Sequence, residues 1–325
     1  MIFPKFLKKG DVIGITACSC GVLDGIEEYE LALSNFVKYG FLTIETSNVR
    51  TDGVVSSNPL QRVNELQSLY ENENVKLVQI ASGGDFLYDM LHLVNYDIIK
   101  NNVKWISGSS DPSSLLFIIT TNLDIATIYS PCNVKGFGMP ILHKSLVNYM
   151  KIISGENVKQ EKFNFYEKDN DKMVNGYNLT SLNNWLNING DVCETGILIG
   201  GCIDCLKDVI GTCFDKTKEF IERYKHQGII WYFDVFSMSC EQLYITLLQF
   251  KNAGWFKYCK AILIGKVKFP NSFDNLQYED LIRKAIQMPC IFNFDIGHVK
   301  PSFTMINGAL VKVVSNDKEG SLEFL

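Results

Sequence analysis

Short apolar, β-branched segments alternate with amphipathic segments along the first half of the chain. Residues 11–17, 41–46 and 75–81 have the composition of buried strands. Residues 26–39 carry apolar side chains at helical spacing and are followed by Gly40, which suits the position just past a helix. Strand and helix alternation of this kind predicts a mainly parallel sheet that is covered by helices on both faces.

The alternation continues further along the chain. Asn58 followed by Pro59 is typical of a helix start, and the helical pattern runs to about residue 70. Residues 103–107 and 126–129 are further predicted strands. In open parallel sheets the ligand binds beyond the carboxyl ends of the strands. We therefore expect the functional residues in the loops that directly follow strands.

A polar stretch interrupts this pattern at residues 155–190. It is rich in Asn and Lys, has no sustained period, and is interpreted as the connection between two domains. A chain of 325 residues also exceeds the roughly 250–300 residues at which single cores stop growing. We therefore predict two α/β domains, residues 1–154 and 191–325. The second half resumes the alternation at residues 196–199, 202–210, 228–234, 241–252, 261–266, 278–287, 290–294 and 309–314.

The composition indicates a large apolar core and a weakly charged surface. Apolar residues make up 46% of the chain, whereas the net charge is −5 and no long run of one sign occurs. Such a surface offers little for nucleic acid or an anionic membrane to bind. The longest apolar runs fall far short of the roughly 20 residues of a membrane span, and the N-terminus lacks the features of a signal peptide. We therefore expect a cytoplasmic location and a small partner molecule.

Ten cysteines are scattered along the chain, mostly in hydrophobic stretches. This distribution favours reduced, buried thiols over disulfides. Cys202 and Cys205 form a C-x-x-C motif, which occurs in redox and zinc sites. The motif lies inside a helical pattern, however, and no second C-x-x-C or paired His accompanies it. Because a four-ligand site needs such partners, the sequence predicts no bound metal.

One segment carries the strongest candidate chemistry. A predicted strand ends at Ser107, residues 108–111 make a turn, and Pro112 starts a helix with Asp111 as its predicted N-cap. This order places the Ser110 side chain on a sharp corner above the sheet. The Asp111 N–H points into the same space, where it can help to hold an oxyanion. An ordinary Ser- and Asp-rich helix cap is the alternative. Three other hydroxyls compete for the role of nucleophile: Ser109, Ser113 and Ser114.

A glycine pair follows a neighbouring strand of the same predicted sheet. Gly83 and Gly84 come after the strand at residues 75–81 and precede a short helix. Glycines in such a place let backbone amides approach a ligand closely, although a flexible turn explains the pair equally well. The position of the pair after a strand is what makes it a candidate for the site.

A serine nucleophile needs a base and usually a carboxylate that orients the base. His298 follows a predicted strand in a loop before Pro301. The other histidines lie in helical or helix-flanking sequence: His92, His143 and His226. Asp234 ends the predicted strand 228–234, and Asp295 is its rival because it is close to His298 in sequence. From the residues alone, a surface histidine without a role is the ordinary alternative for His298.

Six motifs are spread over nearly the whole chain: LKKGDVIGITACS, SNPLQRVNELQSLYENENVKLVQIASGGDF, WISGSSDPSSLL, TGILIGGCIDCLKDVIGT, WYFDVFSMSCEQLYITLLQFKNAGWF and FDIGHVKPSFTMINGAL. Their order and content resemble the LD-carboxypeptidase family of serine peptidases, which also includes the microcin C self-immunity peptidases. The third motif resembles the Gly-x-Ser-Asp nucleophile turn of that family. Because the resemblance covers six blocks in the correct order, it is more specific than any single motif.

The resemblance implies a Rossmann-like N-terminal domain, a smaller α/β C-terminal domain and an active site at their interface. It further implies a Ser–His–Glu triad, with Ser110 as nucleophile and His298 as general base. The Glu of the family falls at Asp234, which is one methylene shorter, so contact with His298 is expected to need a backbone shift or a bridging water. The oxyanion donors would be the amides of Asp111 and Gly84. No metal or organic cofactor is implied, and a homodimer is expected.

The resemblance favours hydrolysis of the amide bond to a terminal D-amino acid in cytoplasmic murein tetrapeptides. The alternative within the same chemistry is an immunity-type amidase that cleaves an aminoacyl-nucleotide conjugate, for which residues 177–185 would supply an aromatic surface that stacks on a base. We expect Gly83 and Trp185 to contact the substrate, although an aromatic residue in a connecting segment more often serves packing. An alternative of another class is a non-catalytic binder that keeps the pocket.

Overall fold

The computed structural model describes residues 1–168 and 176–325, and its first half forms a sheet flanked by helices. The strands are β1 (Val12–Thr16), β2 (Leu42–Glu45), β3 (Val75–Ile80), β4 (Trp105–Gly108) and β5 (Thr127–Tyr129). The helices are α1 (Ile26–Lys38), α2 (Pro59–Glu71), α3 (Tyr96–Asn101), α4 (Ser113–Leu123) and α5 (Lys144–Ile153), and 3₁₀ helices cover Leu23–Gly25, Tyr88–Leu93 and Val134–Phe137. The five strands run parallel in the order β5-β4-β3-β1-β2.

The second half forms an eight-stranded sheet. The further strands are β6 (Gln160–Glu161), β7 (Phe165–Tyr166), β8 (Ser181–Leu182), β9 (Leu186–Ile188), β10 (Val192–Cys202), β11 (Ile229–Asp234), β12 (Cys259–Gly265), β13 (Cys290–Phe294), β14 (Met305–Asn307), β15 (Leu310–Ser315) and β16 (Gly320–Phe324). The further helices are α6 (Ile203–Leu206), α7 (Thr217–Arg223), α8 (Cys240–Asn252) and α9 (Tyr278–Ala285). The sheet order is β6-β16-β15-β10-β11-β12-β13-β9, with β10 to β13 parallel. Strands β7 and β8 form a separate pair.

The α/β class predicted from the alternation is confirmed, and local signals account for several helix boundaries. The Asn58 side chain accepts a hydrogen bond from Gln61 N–H (3.0 Å) in front of Pro59, so α2 begins where the sequence predicts. Ser239 and Gln242 form a capping box at the start of α8. Caps of this kind contribute about 1 kcal/mol each. Within the two described ranges, no helix is both long enough and apolar enough to cross a membrane.

Several strands were not predicted from the pattern. Strand β14 comes from the second half but pairs antiparallel with β5 and completes the first sheet. Strand β9 lies in the polar stretch 155–190 and pairs with β13, and β16 pairs with β15. With three residues each, β9 and β14 are too short to show a repeat. Residues 169–175 of the polar stretch lie outside the described residues, and the division at residues 154 and 190 stays a prediction.

Helix α4 and strand β14 join the two sheets. Residues 113–121 of α4 are all buried, and the ring of Phe117 packs on that of Trp231 from the second sheet. On β14, the Asn307 side chain accepts a hydrogen bond from the Tyr232 hydroxyl (2.9 Å) and donates one to Thr127 Oγ1 (3.3 Å). A helix that is buried on all sides belongs in the interior of a large protein. The described residues therefore form one continuous apolar core that includes both sheets.

Candidate active site

The chain turns sharply between β4 and α4. Ser110 in this turn has a φ of +69°, in the left-handed region that residues other than glycine rarely adopt. Two hydrogen bonds hold the turn: Ser109 N–H donates to Asn133 Oδ1 (3.0 Å), and Ser110 N–H donates to the Tyr129 hydroxyl (3.0 Å). Backbone strain that the surroundings maintain is common at functional sites. The backbone thus fixes Ser110 at the carboxyl edge of the first sheet.

Asp111 does not cap α4, which corrects the predicted N-cap. The helix begins at Ser113 behind Pro112, and no side chain caps it. The Asp111 carboxylate instead accepts hydrogen bonds from the Ser19 hydroxyl (2.6 Å) and from Leu87 N–H (2.9 Å). Burial raises the pKa of Asp111, and these two hydrogen bonds oppose the shift. The carboxylate therefore ties the loops that follow β1 and β3 to the nucleophile turn.

The glycine pair lies directly against this turn. A Cβ on Gly83 would stand 3.2 Å from Ser110 Oγ, and one on Gly84 would stand 2.4 Å from Ser19 Oγ. Gly84 also has a φ of +143°, so both the backbone and the space exclude a side chain there. Among the described residues, the N–H groups of Gly84 and Asp111 donate no hydrogen bond within the protein. Both amides are thus available to a ligand, and their role as oxyanion donors stays a prediction.

His298 reaches Ser110 from the second sheet. It lies in the loop after β13, and its Nε2 is 3.0 Å from Ser110 Oγ. Its Nδ1 is 2.7 Å from Asp234 Oδ2. At this distance the charge of the Asp234 carboxylate attracts the imidazole and holds Nδ1 towards it. The structure brings together the three side chains that the sequence selected as a triad.

Asp234 is fully buried at the end of β11. Its Oδ1 accepts a hydrogen bond from His298 N–H (3.2 Å), and its Oδ2 accepts one from the Tyr129 hydroxyl (2.5 Å). Burial raises the pKa of Asp234, but attraction to His298 and these hydrogen bonds outweigh burial and lower the pKa below its ordinary value of 3.8. Asp234 is consequently a buried carboxylate that is ionised at neutral pH.

The short Asp234 side chain contacts His298 directly because the loop comes unusually close. Gly297 has a φ of +91°, and a Cβ at this position would stand 1.8 Å from Asp234 Oδ1. The partly buried Lys300 ammonium donates hydrogen bonds to the carbonyl oxygens of Gly297 (3.0 Å) and Pro131, which fastens the loop to the first sheet. Burial lowers the pKa of Lys300. Of the two expected routes to His298, the structure has the close backbone approach and not a bridging water.

The rival candidates from the sequence lie elsewhere. Asp295 and Lys266, which directly follow β13 and β12, form an ion pair (2.7 Å), and Asp295 does not contact His298 through any hydrogen bond of the described residues. Nδ1 of His143 accepts a hydrogen bond from the backbone at the start of α5. Ser113 is fully buried, and its hydroxyl donates to the Ser110 carbonyl oxygen (2.6 Å). Each of these groups has a structural role where it stands.

Trp185 lies in the hydrophobic core and not on an open surface, which differs from its expected contact with the substrate. Its side chain packs on Phe294, with ring centroids 4.4 Å apart, and on Phe303 (6.0 Å). Burial of a large ring against other aromatic rings is strongly favourable, and only 7% of Trp185 is exposed. The aromatic rings that border the cavity beside Ser110 are those of Tyr88 and Phe236.

Two cavities meet at Ser110. The first, of about 500 Å³, is bordered by the glycine pair, Asn133 and His298. The second, of about 340 Å³, extends from Ser110 towards α6. Four carboxylates border the second cavity: Asp85, Asp111, Asp204 and Asp208. We call it the acidic cavity, because this lining gives it a negative potential that favours positively charged groups.

The sequence did not place two residues beside the triad, Tyr129 and Cys202. The Tyr129 hydroxyl bridges the sheets, because it accepts from Ser110 N–H and donates to Asp234. In the sequence, only the position of Tyr129 at the end of a predicted strand pointed to the site. Cys202 ends β10, and its Sγ lies within 4.8 Å of donor atoms of Asp234 and His298. Interaction with the Cys205 thiol, together with burial, raises the pKa of Cys202.

Both halves of the chain match family models. Residues 13–130 match the model of the LD-carboxypeptidase N-terminal domain, and residues 195–313 match that of the LD-carboxypeptidase C-terminal domain. Among curated proteins, the microcin C7 self-immunity protein of Escherichia coli is 23% identical over 84% of this chain and 81% of its own length. The "Probable murein peptide carboxypeptidase" of Bacillus subtilis is 22% identical over 98% of this chain and 94% of its own.

Solved structures show the same fold. An MccF-like protein from Bacillus anthracis superposes with a TM-score of 0.84 at 23% identity, covering 100% of this chain and 99% of that one. The microcin C7 self-immunity protein in complex with aspartyl sulfamoyl adenosine gives a TM-score of 0.84 at 20% identity, covering 100% and 98%. At such identities the likeness establishes the fold, and the arrangement of strands around the site is part of that fold.

Proposed function

This chain belongs to the LD-carboxypeptidase family, and we propose that it is a serine carboxypeptidase that hydrolyses the amide bond to a terminal D-amino acid in cytoplasmic murein tetrapeptides. One observation carries the proposal. Ser110 Oγ, the two ring nitrogens of His298 and the Asp234 carboxylate form an unbroken series of contacts of 3.0 and 2.7 Å. A nucleophile, a base and a group that orients the base in this order are the requirements of acyl transfer.

Each member of the series has a defined task. Ser110 Oγ attacks the carbonyl carbon while its proton passes to His298 Nε2, and the Asp234 charge stabilises the imidazolium that forms. His298 then donates the proton to the departing amine, which leaves an ester on Ser110. Water, deprotonated by the same nitrogen, hydrolyses this ester and releases the shortened peptide. The oxyanion of both tetrahedral intermediates would face the amides of Asp111 and Gly84.

The charge of the acidic cavity supports a peptide substrate that carries an amine. Asp85 is exposed there, and Asp208 lies further along the same lining. Asp204 accepts hydrogen bonds from the backbone of Phe236 and Ser237, which holds its carboxylate in place. Murein tetrapeptides carry a diamino acid next to the terminal D-amino acid, and its free amine is positive at neutral pH. Attraction between this amine and the cavity would orient the scissile bond towards Ser110.

An immunity-type amidase acting on aminoacyl-nucleotide conjugates is the second candidate. The structural relative that binds aspartyl sulfamoyl adenosine favours it. In this chain, Tyr88 and Phe236 offer partly exposed rings beside Ser110 on which a base could stack. An acidic aminoacyl group, however, would meet the carboxylates of the acidic cavity. The candidate of another class, a non-catalytic binder, would keep the cavities without acylation of Ser110.

The proposal is tested by two measurements on the purified protein. A fluorophosphonate probe should label Ser110, located by peptide mass spectrometry, and the Ser110→Ala variant should remain unlabelled. Hydrolysis rates are then compared for a murein tetrapeptide and an aminoacyl sulfamoyl-adenosine under the same conditions. Faster release of the terminal D-amino acid supports the carboxypeptidase, and faster cleavage of the nucleotide supports the second candidate. If Ser110 is not labelled and neither substrate is hydrolysed, the result supports the non-catalytic binder. Location in the cytoplasm and a homodimer stay predictions.

A further inference from the structure

A thiol, a carboxylate and an imidazole converge beside the nucleophile. In the parallel register of β10 and β11, Cys202 is the direct partner of Asp234, so both residues end their strands at the same level. Donor atoms of Cys202, Asp234 and His298 all lie within 4.8 Å of one another. The proposed hydrolysis uses only the carboxylate and the imidazole. The thiol, which is 1% exposed, has no task in that mechanism.

A second thiol and a negative lining accompany this cluster. Cys205 lies three residues after Cys202, and both residues border the acidic cavity together with Ser110. In the described part of the chain, Cys202 Sγ makes one hydrogen-bond contact, a distant one of 3.8 Å to Asp204. The carboxylates of the cavity would raise the local concentration of cations. A cation that enters from the cavity therefore meets soft sulfur donors next to the triad.

From this arrangement we propose that Cys202, Asp234 and His298 form a binding site for a thiophilic divalent cation such as Zn²⁺ or Cd²⁺, with the fourth position open to the acidic cavity near Cys205. The occupied site blocks the proposed hydrolysis. The sequence alone argued against a metal because C-x-x-C lacked partners, and the fold supplies those partners from β11 and from the loop after β13.

The distances permit this site after small shifts. Zinc holds sulfur at about 2.3 Å and nitrogen or oxygen at about 2.0–2.2 Å, so ligand atoms in a tetrahedral shell stand about 3.3–3.6 Å apart. Donors that already lie within 4.8 Å need movements of about 1 Å. On binding, the Cys202 thiol releases its proton to solvent and a sulfur–metal bond forms. The cation takes a lone pair of His298 and the charge of Asp234, which removes the general base.

Binding is tested without reference to activity. The full-length, reduced protein is titrated with Cd²⁺, and the cadmium–thiolate charge-transfer absorption is followed in the ultraviolet. We expect one equivalent to bind, and Cys202→Ser to weaken binding by about 10–100-fold or more, because loss of a partner in the second shell alone has such an effect. Cys20→Ser is the matched control, since Cys20 borders the other cavity at Ser110. It should bind Cd²⁺ like the unchanged protein. Circular dichroism checks that both variants are folded.

The outcomes separate this proposal from the proposed function. Equal cadmium affinity of Cys202→Ser, Cys202→Ala and the unchanged protein would overturn the site, as would loss of binding in Cys205→Ser alone. Loss confined to the Cys202 variants supports it. Inhibition is measured as labelling of Ser110 by a fluorophosphonate with and without Zn²⁺, each variant relative to its own metal-free rate. If Ser110 never reacts, labelling fails under all conditions while the absorption still reports the metal, so the proposed function fails and the site does not.

Discussion

The nucleophile and its two partners are held in place by different means. Ser110 depends on the backbone: a positive φ and the N–H donors of the turn place it, while its hydroxyl contacts His298 and not the turn. His298 depends on side chains: a buried carboxylate attracts it, and Lys300 fastens its loop. We therefore expect Ser110 to keep its position when a partner is changed, whereas His298 should lose its position when the charge of Asp234 is removed.

The largest effect is expected for Ser110→Ala. Because the Ser110 hydroxyl makes no contact that holds the turn, the variant should fold normally while kcat falls by at least about 10³-fold. Steady-state hydrolysis and the melting temperature are measured together. Ser109→Ala is the control and should keep most of its activity. Full activity of Ser110→Ala would mean that the nucleophile has been assigned to the wrong residue.

Asp234→Asn should lower kcat by about 10²–10³-fold, because a neutral amide cannot stabilise the imidazolium and favours the wrong tautomer. Asp234→Glu should also lower kcat relative to the unchanged protein. Gly297 already fills the space around the carboxylate, so the longer side chain does not fit without a shift of the loop. Rates of both variants on one substrate test the claim that charge and close approach position His298. If Asp234→Asn retains the full rate, the base is oriented by something else.

Tyr129→Phe tests a side chain that contacts both the nucleophile turn and Asp234. It removes the donor to Asp234 and the acceptor of Ser110 N–H and leaves the ring in place. Net contributions of about 0.5–1.5 kcal/mol per hydrogen bond predict a loss of roughly tenfold in kcat. The double variant with Asp234→Asn should lose less than the sum of the two single effects. Simple additivity would show that Tyr129 does not act through Asp234.

Asp295→Asn should barely change kcat but should destabilise the protein. The substitution leaves the Lys266 ammonium buried without its carboxylate, which costs about 3–5 kcal/mol in comparable buried pairs. Urea unfolding and kcat are measured on the same preparation. Lys266→Met combined with Asp295→Asn should recover part of the stability. If Asp295→Asn is inactive but as stable as the unchanged protein, Asp295 and not Asp234 is the carboxylate that orients His298.

The smallest effect is expected in acid. The folded-state pKa of Asp234 lies below its ordinary value of 3.8, so this group stabilises the fold above about that pH and the contribution is lost as the pH falls through the folded-state pKa. Stability measured from pH 6 downwards should therefore decline less steeply in Asp234→Asn than in the unchanged protein. Identical slopes would show that folding does not lower the pKa of Asp234.

The parts of the fold and site that depend on local order were predictable from the sequence. The strands of the first sheet and α2 show period and cap signals within a few residues of their ends. The nucleophile turn was marked by a strand, a Gly-Ser-Ser-Asp turn and Pro112, all within one short segment. The cap assigned to Asp111 was wrong because its partners, Ser19 and Leu87, come from two other loops.

Features that depend on long-range pairing were not predictable. Tyr129 meets Asp234 across 105 residues, and Lys300 meets Pro131 across 169. The thiol of Cys202 stands beside the triad only because β10 and β11 pair in register. Trp185 was predicted to contact the substrate because it is aromatic, but its ring is buried against Phe294 in the core. No period or spacing in the chain records such contacts, because they are set by the packing of the two sheets.

The strand β14 has a consequence for the order of events during synthesis. It pairs with β5, and Asn307 on it connects to Thr127 and Tyr232. Until residues 305–307 have emerged from the ribosome, β5 therefore lacks its antiparallel partner in the first sheet. The same late strand immediately follows the loop that bears His298. Adjacent segments of the chain thus complete the first sheet and carry the base, and a chain that ends before them would present Ser110 without the group that activates it.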